Sequence, residues 1–272
     1  MFFNMPKGEG GDKLFLNTYP LFNHGRILKL EMLEQLRDFP RDLFNIYSLQ
    51  YSNGVISGCD IGVKGEYIVV TKGIIKYENV LYVLKEDYMI PYRYTNSLAL
   101  LKLRFLGETK NSDFIRYTTE IFIDDNLDLN EDEMELCRFK VKEGAILRID
   151  YVDFEDMSTE YDTVNLINCP YAGSGKSTLS PRILKAFAKE AFKYELSNSL
   201  DISFSMMCLQ EGRAIERDLI TSYISSRLKI SNRDYSNSEI YEYLVRILNH
   251  IKQGRETFGG YGSIEYKRIL VD

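Results

Sequence analysis

The feature that most constrains this chain is a succession of short apolar runs through its first half. Val55 to Ile61, Tyr67 to Thr71, Ile74 to Tyr77, Val80 to Leu84, Leu98 to Phe105, Ile115 to Ile123, Met134 to Val141 and Ile146 to Val152 are all rich in Val, Ile, Leu, Tyr and Phe. Gly and polar residues separate them at intervals of roughly 8 to 12 residues, which is the pattern of an antiparallel sandwich or barrel. β-branched and aromatic side chains suit a pleated, half-buried surface, so the segment 52–165 reads as an all-β body.

A second pattern takes over beyond Cys169. Ser180 followed by Pro181 is a helix start: the hydroxyl accepts from free backbone N–H groups, and proline fits the first helical position, where no donor is needed. Leu184, Phe187, Ala188, Ala191 and Phe192 then share one face, and Ile215, Leu219, Ile220, Tyr223, Ile224 and Leu228 form a second stripe. Ser236 with Glu239 makes a capping box ahead of Ile240, Leu244, Ile247 and Ile251, and Gly254 is placed to end that helix. The expected class is therefore α+β, an N-terminal antiparallel β sandwich or barrel followed by a small C-terminal helical bundle. The expected divisions are 1–51, a flexible arm with two short helices interrupted by Pro40; 52–165, the β body; 166–180, a glycine-rich linker; 181–256, the bundle; and 257–272, a C-terminal arm or strand. Gly259, Gly260 and Gly262 hinge that last segment, and Ile264, Tyr266 and Ile269 alternate in part with charged residues beyond it. Such a segment is suited to pairing with a sheet edge on another chain or to closing the chain's own β body.

Composition narrows the function classes. With 272 residues and 44% apolar content the chain can bury a real core. Its 34 Lys plus Arg stand against 40 Asp plus Glu, a formal charge of -6, which argues against a general nucleic-acid binder. Cys59, Cys137, Cys169 and Cys208 are widely spaced, with only His24 and His250 to assist, so neither a zinc site nor a disulfide framework is expected and the thiols read as reduced. The N-terminal residues lack the charged and apolar regions of a secretory signal, and no run is long and apolar enough to span a membrane. Nothing resembles a nucleophile with its base, and no catalytic residue or cofactor is assigned.

Two motifs invite chemistry. In AGSGKST, residues 172–178, a phosphate-loop reading puts Gly175 and the loop amides on phosphates, Lys176 on the terminal phosphate and Ser177 on magnesium. Against it, Pro170 stands where that pattern needs glycine, and the new helix start at Pro181 falls where the loop's own helix would be running. A structural glycine loop is the preferred reading, with nucleotide binding as the alternative. In DDNLDLNEDEME a calcium-loop register places Asp124, Asn126, Asp128, Asn130, Asp132 and Glu135 at ligand positions, so that Asp124, Asp128 and Glu135 are the metal alternative. Leu129 occupies the position where that loop requires glycine, and the flanks read as strands. A solvated acidic hairpin loop is therefore expected.

The stretch YSNGVISGCDIGVKGEYIVVTKGIIKYENVLYVLKEDYMIPY, residues 51–93, resembles the β domain of phage tail baseplate and tail-fibre attachment proteins, including those of contractile tail-like particles from low-GC Gram-positive prophages. MELCRFKVKEGAILRIDYVDFED (134–156) and STLSPRILKAFAKEAF (177–192) are similar to the continuation of such proteins. The resemblance implies a structural subunit without catalysis, made in the cytoplasm and oligomeric in an assembled tail or tailocin, whose partners are other baseplate or tail subunits and fibre proteins. Two other classes remain open: a nucleotide-binding protein using the AGSGKST loop, and a receptor- or carbohydrate-binding module.

Overall fold

The computed structural model describes residues 17–95, 97–210 and 214–254. The expected N-terminal glycine-rich arm (1–13) and the C-terminal arm (257–272) lie outside these residues, so their expected roles stand as sequence readings. Two compact units are distinguished, one ending at Leu49 and one beginning at Gln50.

The first unit contains helix α1, Leu30–Ser48. Two short helices broken at Pro40 were expected there; instead one helix of 19 residues runs through the proline. Pro40 removes one donor to the turn before it, and an exposed helix lets water satisfy the orphaned carbonyl.

The second unit begins with nine strands: β1 (Gly54–Gly58), β2 (Ile61–Lys64), β3 (Tyr67–Val70), β4 (Gly73–Tyr77), β5 (Val80–Leu84), β6 (Tyr88–Pro91), β7 (Ala99–Lys110), β8 (Ile115–Asp124) and β9 (Glu133–Phe139). Among the described residues they form three antiparallel sheets of three strands, ordered β1-β4-β5, β2-β3-β6 and β8-β7-β9, with no closed barrel. The class is mixed α+β, as expected. The anticipated first strand, Val55 to Ile61, is split because Gly58 and Cys59 both take positive φ (61° and 53°), a left-handed corner that sends the chain into the next sheet. Ile146 to Val152 alternates like a strand but makes only one bridge, Arg148 to Thr163. Periodicity alone does not supply a neighbouring strand, and here the partner chain is itself irregular. Strand β6 escaped notice because YMIP ends in proline and is only four residues long.

Four helices follow: α2 (Pro181–Ala191), α3 (Ser199–Leu209), α4 (Arg217–Leu228) and α5 (Asn237–Lys252). Ser180 caps α2 by accepting from the Arg182 N–H, with proline at the first helical position. Ser236 and Glu239 complete both halves of the expected capping box on α5. Helix α3 was not foreseen, since its sequence SLDISFSMMCL is apolar nearly all round; its visible signal is Asn198, whose side chain accepts from the Leu200 N–H.

Two cores result. One joins the helices through Leu184, Phe187, Phe204, Ile224, Leu244 and Ile247, and also takes Phe154 and Met157 from the loop before them. Buried within the bundle, Arg227 meets Asp201 at 3.0 Å and the Tyr223 hydroxyl donates to the same carboxylate at 2.9 Å, with Arg227 and Asp201 side chains each only 2% exposed. Burial pushes the Tyr223 hydroxyl far above the usual tyrosine range, with the adjacent Asp201 carboxylate adding to it. The other core fills the β body with Val55, Ile68, Leu101, Leu103, Phe139 and their neighbours. Tyr77 stacks on Phe105 with ring centroids 4.0 Å apart, clamping the β1-β4-β5 sheet to the β8-β7-β9 sheet. The segment 164–172 feeds both: Val164, Leu166 and Cys169 enter the β core while Ile167 enters the helical one.

Gly58 is the corner on which the β body turns. An added Cβ would lie 2.1 Å from the Lys72 carbonyl oxygen, in a backbone conformation that side chains rarely adopt. Gly58→Val is predicted to destabilise the chain by more than about 1 kcal/mol, read as a lowered denaturation midpoint; an unchanged midpoint would show that this corner relaxes without cost.

Candidate functional site

The AGSGKST loop is a tight structural turn. The Tyr171 and Thr178 backbones pair with each other at 3.0 and 2.8 Å, and Ala172 donates to the Val55 carbonyl of β1 at 2.9 Å. Three successive loop amides that a phosphate would have to engage are already committed. Gly173 N–H donates to the Ser52 hydroxyl (3.2 Å), Ser174 N–H to the Glu216 carboxylate (2.7 Å), and Gly175 N–H to the Gln50 carbonyl (3.0 Å). Glu216 is the N-cap residue of α4, so a carboxylate built into the fold occupies the place of an external anion. Lys176 pairs with Asp234 at 3.1 Å on the surface, and the Ser177 carbonyl accepts from Arg217 at 2.8 Å. Thr178 sends its hydroxyl to the Ile215 carbonyl at 2.6 Å. Gly175, Lys176 and Ser177 thus lie together on one turn, but each has a partner within the protein, and the helix after them begins at Pro181 rather than at the lysine.

The acidic stretch connects β8 to β9 and folds over the second face of β7. Along β7, Leu101, Leu103 and Phe105 enter the β core, which leaves Leu100, Lys102 and Arg104 on the opposite face. Lys102 is 1% exposed, and its ammonium donates to Asp124 Oδ2 (2.9 Å), the Asp128 carbonyl (2.6 Å) and Glu133 Oε2 (3.4 Å). Arg104 forks onto Glu133 Oε1 through Nε (3.0 Å) and Nη2 (2.7 Å), and its guanidinium lies 4.2 Å over the Phe122 ring. Burial works against the charged lysine, but Asp124 and Glu133 outweigh it and hold its pKa above the usual value. In return Lys102 and the Asn126 N–H hold Asp124 below the ordinary carboxylate range. Burial alone would raise Glu133, yet Arg104 and Asn130 keep it below its ordinary value.

Of the three carboxylates in the metal alternative, Asp124 and the Asp128 backbone meet at Lys102, whereas Glu135 turns away to fork onto Arg138 at 2.7 and 2.6 Å. Among the described residues no group of three His, Cys, Asp or Glu is placed to hold a metal ion. A lysine is the internal counter-ion of this loop. Sequence reading missed it because Lys102 sits in an apolar run, where a charge reads as a strand's solvent face.

The remaining candidate is a surface. Along α1, Met32, Leu36, Phe39, Leu43 and Ile46 follow alternating steps of four and three, the period of a helix-packing seam. Leu33 and Tyr47 widen the stripe, and Leu33, Leu36, Phe39, Leu43, Ile46 and Tyr47 are all exposed, Ile46 at 68%. A contiguous apolar stripe on a helix about 28 Å long is costly to leave in water. Among the described residues no helix is long and apolar enough to cross a membrane.

The paired charges and the glycine loop each carry a testable consequence. Lys102→Met leaves buried carboxylates without a counter-ion and should cost about 3–5 kcal/mol, seen in urea unfolding; a loss below 1 kcal/mol would show that the network is solvated. Asp156 is held well below the carboxylate range, first by Arg148, which forks onto it at 2.6 Å through both nitrogens, and then by Val152 N–H and Thr159. Because its folded pKa is depressed, its contribution is fully present above about pH 4 and is lost as pH falls through the folded value. The urea midpoint should therefore drop from pH 5 to pH 3, with a shallower drop in Asp156→Asn; identical slopes would contradict this. For the glycine loop, isothermal titration with ATP and magnesium should show no saturable micromolar binding, while saturation abolished by Lys176→Ala would overturn the structural reading.

No protein-family model matches the chain, and no curated protein is similar to it. Among solved structures, it is similar to one described as the crystal structure of TssK, with a TM-score of 0.41 and 7% identity over 87% of this chain and 72% of that one. It is also similar to a chain of the type VI secretion system TssK-TssF-TssG baseplate subcomplex, at a TM-score of 0.37 and 9% identity over 89% of this chain and 100% of that one. A chain of the type VI secretion system baseplate complex gives 0.36 and 9% over 88% and 70%.

Proposed function

We propose that this chain is a structural subunit of a baseplate in a contractile, tail-like particle, of the phage tail or tailocin kind, and that it works by docking neighbouring subunits rather than by catalysis. The observation that carries the reading is α1, whose exposed apolar stripe has the spacing of a helix-packing seam and needs a partner to cover it. The segments whose sequences resemble baseplate and fibre-attachment proteins supply β1 through β6, β9 and α2, which make up much of the scaffold of the second unit. The two motifs suggestive of enzymology support the same reading, because their amides and carboxylates are satisfied by Glu216, Ser52, Lys102 and Arg104. Such a part draws its affinity from packed apolar side chains and from main-chain pairing, and it needs no titrating nucleophile.

In cells that make the particle, the chain should co-purify with sheathed particles and appear in them by mass spectrometry. Leu36→Glu with Leu43→Glu places two charges on the α1 stripe and should cut incorporation at least tenfold while leaving the melting temperature within about 2 °C, since both positions are exposed. Full incorporation of this variant, or absence of the natural chain from the particles, would contradict the proposal.

A further inference from the structure

Four of the six outer sheet edges are closed or blunted. The bridge from Val55 to Tyr171 covers β1, and that from Arg138 to Asn165 covers β9. Arg182 donates to the Ile61 carbonyl on β2, and β6 is four residues ending in proline. Strands β5 and β8 are the other two outer edges, and among the described residues no strand or bridge pairs with their outer sides. These two strands flank one cleft of about 360 Å³, lined by Val70, Tyr82, Leu84, Leu103, Tyr117 and Ile121. An apolar cleft walled by two strands whose outer edges pair with no strand among the described residues offers both main-chain groups and side-chain room, the two requirements for accepting an extended segment.

We infer that the occupant of this cleft is the C-terminal segment 263–271 of a second copy of this chain. In SIEYKRILV, the period of a strand would put Ile264, Tyr266 and Leu270 on one side, together with the long stem of Arg268, and so supply apolar side chains to a cleft of this volume. Residues 255–272 follow the end of α5 and span up to about 60 Å when extended, enough to reach a neighbouring molecule. The run Gly259, Gly260 and Gly262 allows the direction change that such a crossing requires. A head-to-tail contact of this kind joins two different surfaces, so it propagates from copy to copy or closes into a ring. The inference rests on the docking role proposed above and names one of its contacts.

The test uses the full chain carrying Thr119→Cys, an exposed position on the cleft wall, together with Tyr266→Cys. The four native cysteines are buried, and burial pushes Cys59 up to about 11 and Cys208 up to about 12, so they compete poorly for oxidation. Under mild oxidation the double variant should run as covalent dimers and higher multiples on a non-reducing gel, with each single variant remaining at one-chain mass. A bond closed within one chain, or no bond, overturns the inference. As a second measurement without cysteines, Ile264→Asp should reduce the sedimentation mass at least twofold, to the 31.7 kDa of one chain, with an unchanged melting temperature; a natural chain that already sediments at that mass also overturns it. If the tail fails these tests while charged substitutions on α1 still abolish incorporation, the docking role stands and only this contact is removed.

Discussion

An antiparallel sheet leaves unpaired N–H and C=O groups along each outer strand, and the way this chain satisfies them organises the second unit. The irregular segment from Asp162 to Thr178 covers two of these edges. It lends backbone to β9 at Asn165 and to β1 at Pro170 and Ala172, and then pairs with itself between Tyr171 and Thr178. Along the way its apolar side chains alternate between the β core and the helical core. Having no regular secondary structure, it nonetheless fixes where α2 begins. The glycine loop belongs to this arrangement: Gly173 packs so closely on its own turn that an added Cβ would lie 2.6 Å from the Lys176 carbonyl oxygen.

Electrostatics follow the same rule of internal satisfaction. Lys102, Asp201, Arg227 and Glu133 are charged groups taken almost wholly out of water, and each faces an opposite charge within 3.4 Å. Removing a partner from such a pair costs more than the pair contributes, since the desolvated survivor has nothing to replace water. Among the described residues, apolar side chains are left uncovered along α1, and an apolar cleft lies between β5 and β8.

Much of this was legible in the sequence, for identifiable reasons. The run of short apolar segments located most strands, Ser180-Pro181 and the Ser236 capping box located two helix starts, and Pro170 and Leu129 stand where two chemical motifs each require a glycine. The failures share a cause. Ile146 to Val152 has strand periodicity without a partner, α1 continues through Pro40 because an exposed helix tolerates the break, and α3 lacks a polar face to betray its period. Lys102 could not be recognised as buried, because only folding reveals that the acidic loop returns over β7 to meet it. Local pattern reports propensity, whereas pairing over 22 to 31 residues of sequence is a tertiary fact.

Hydrogen exchange measured on the chain alone and within assembled particles probes the central claim most directly. The account predicts that the amides of α1 exchange rapidly in the free chain and become at least tenfold more protected on assembly, whereas the Gly173 to Thr178 amides are protected in both states. Unchanged exchange along α1, or protection of the glycine loop that appears only when nucleotide is added, would contradict it.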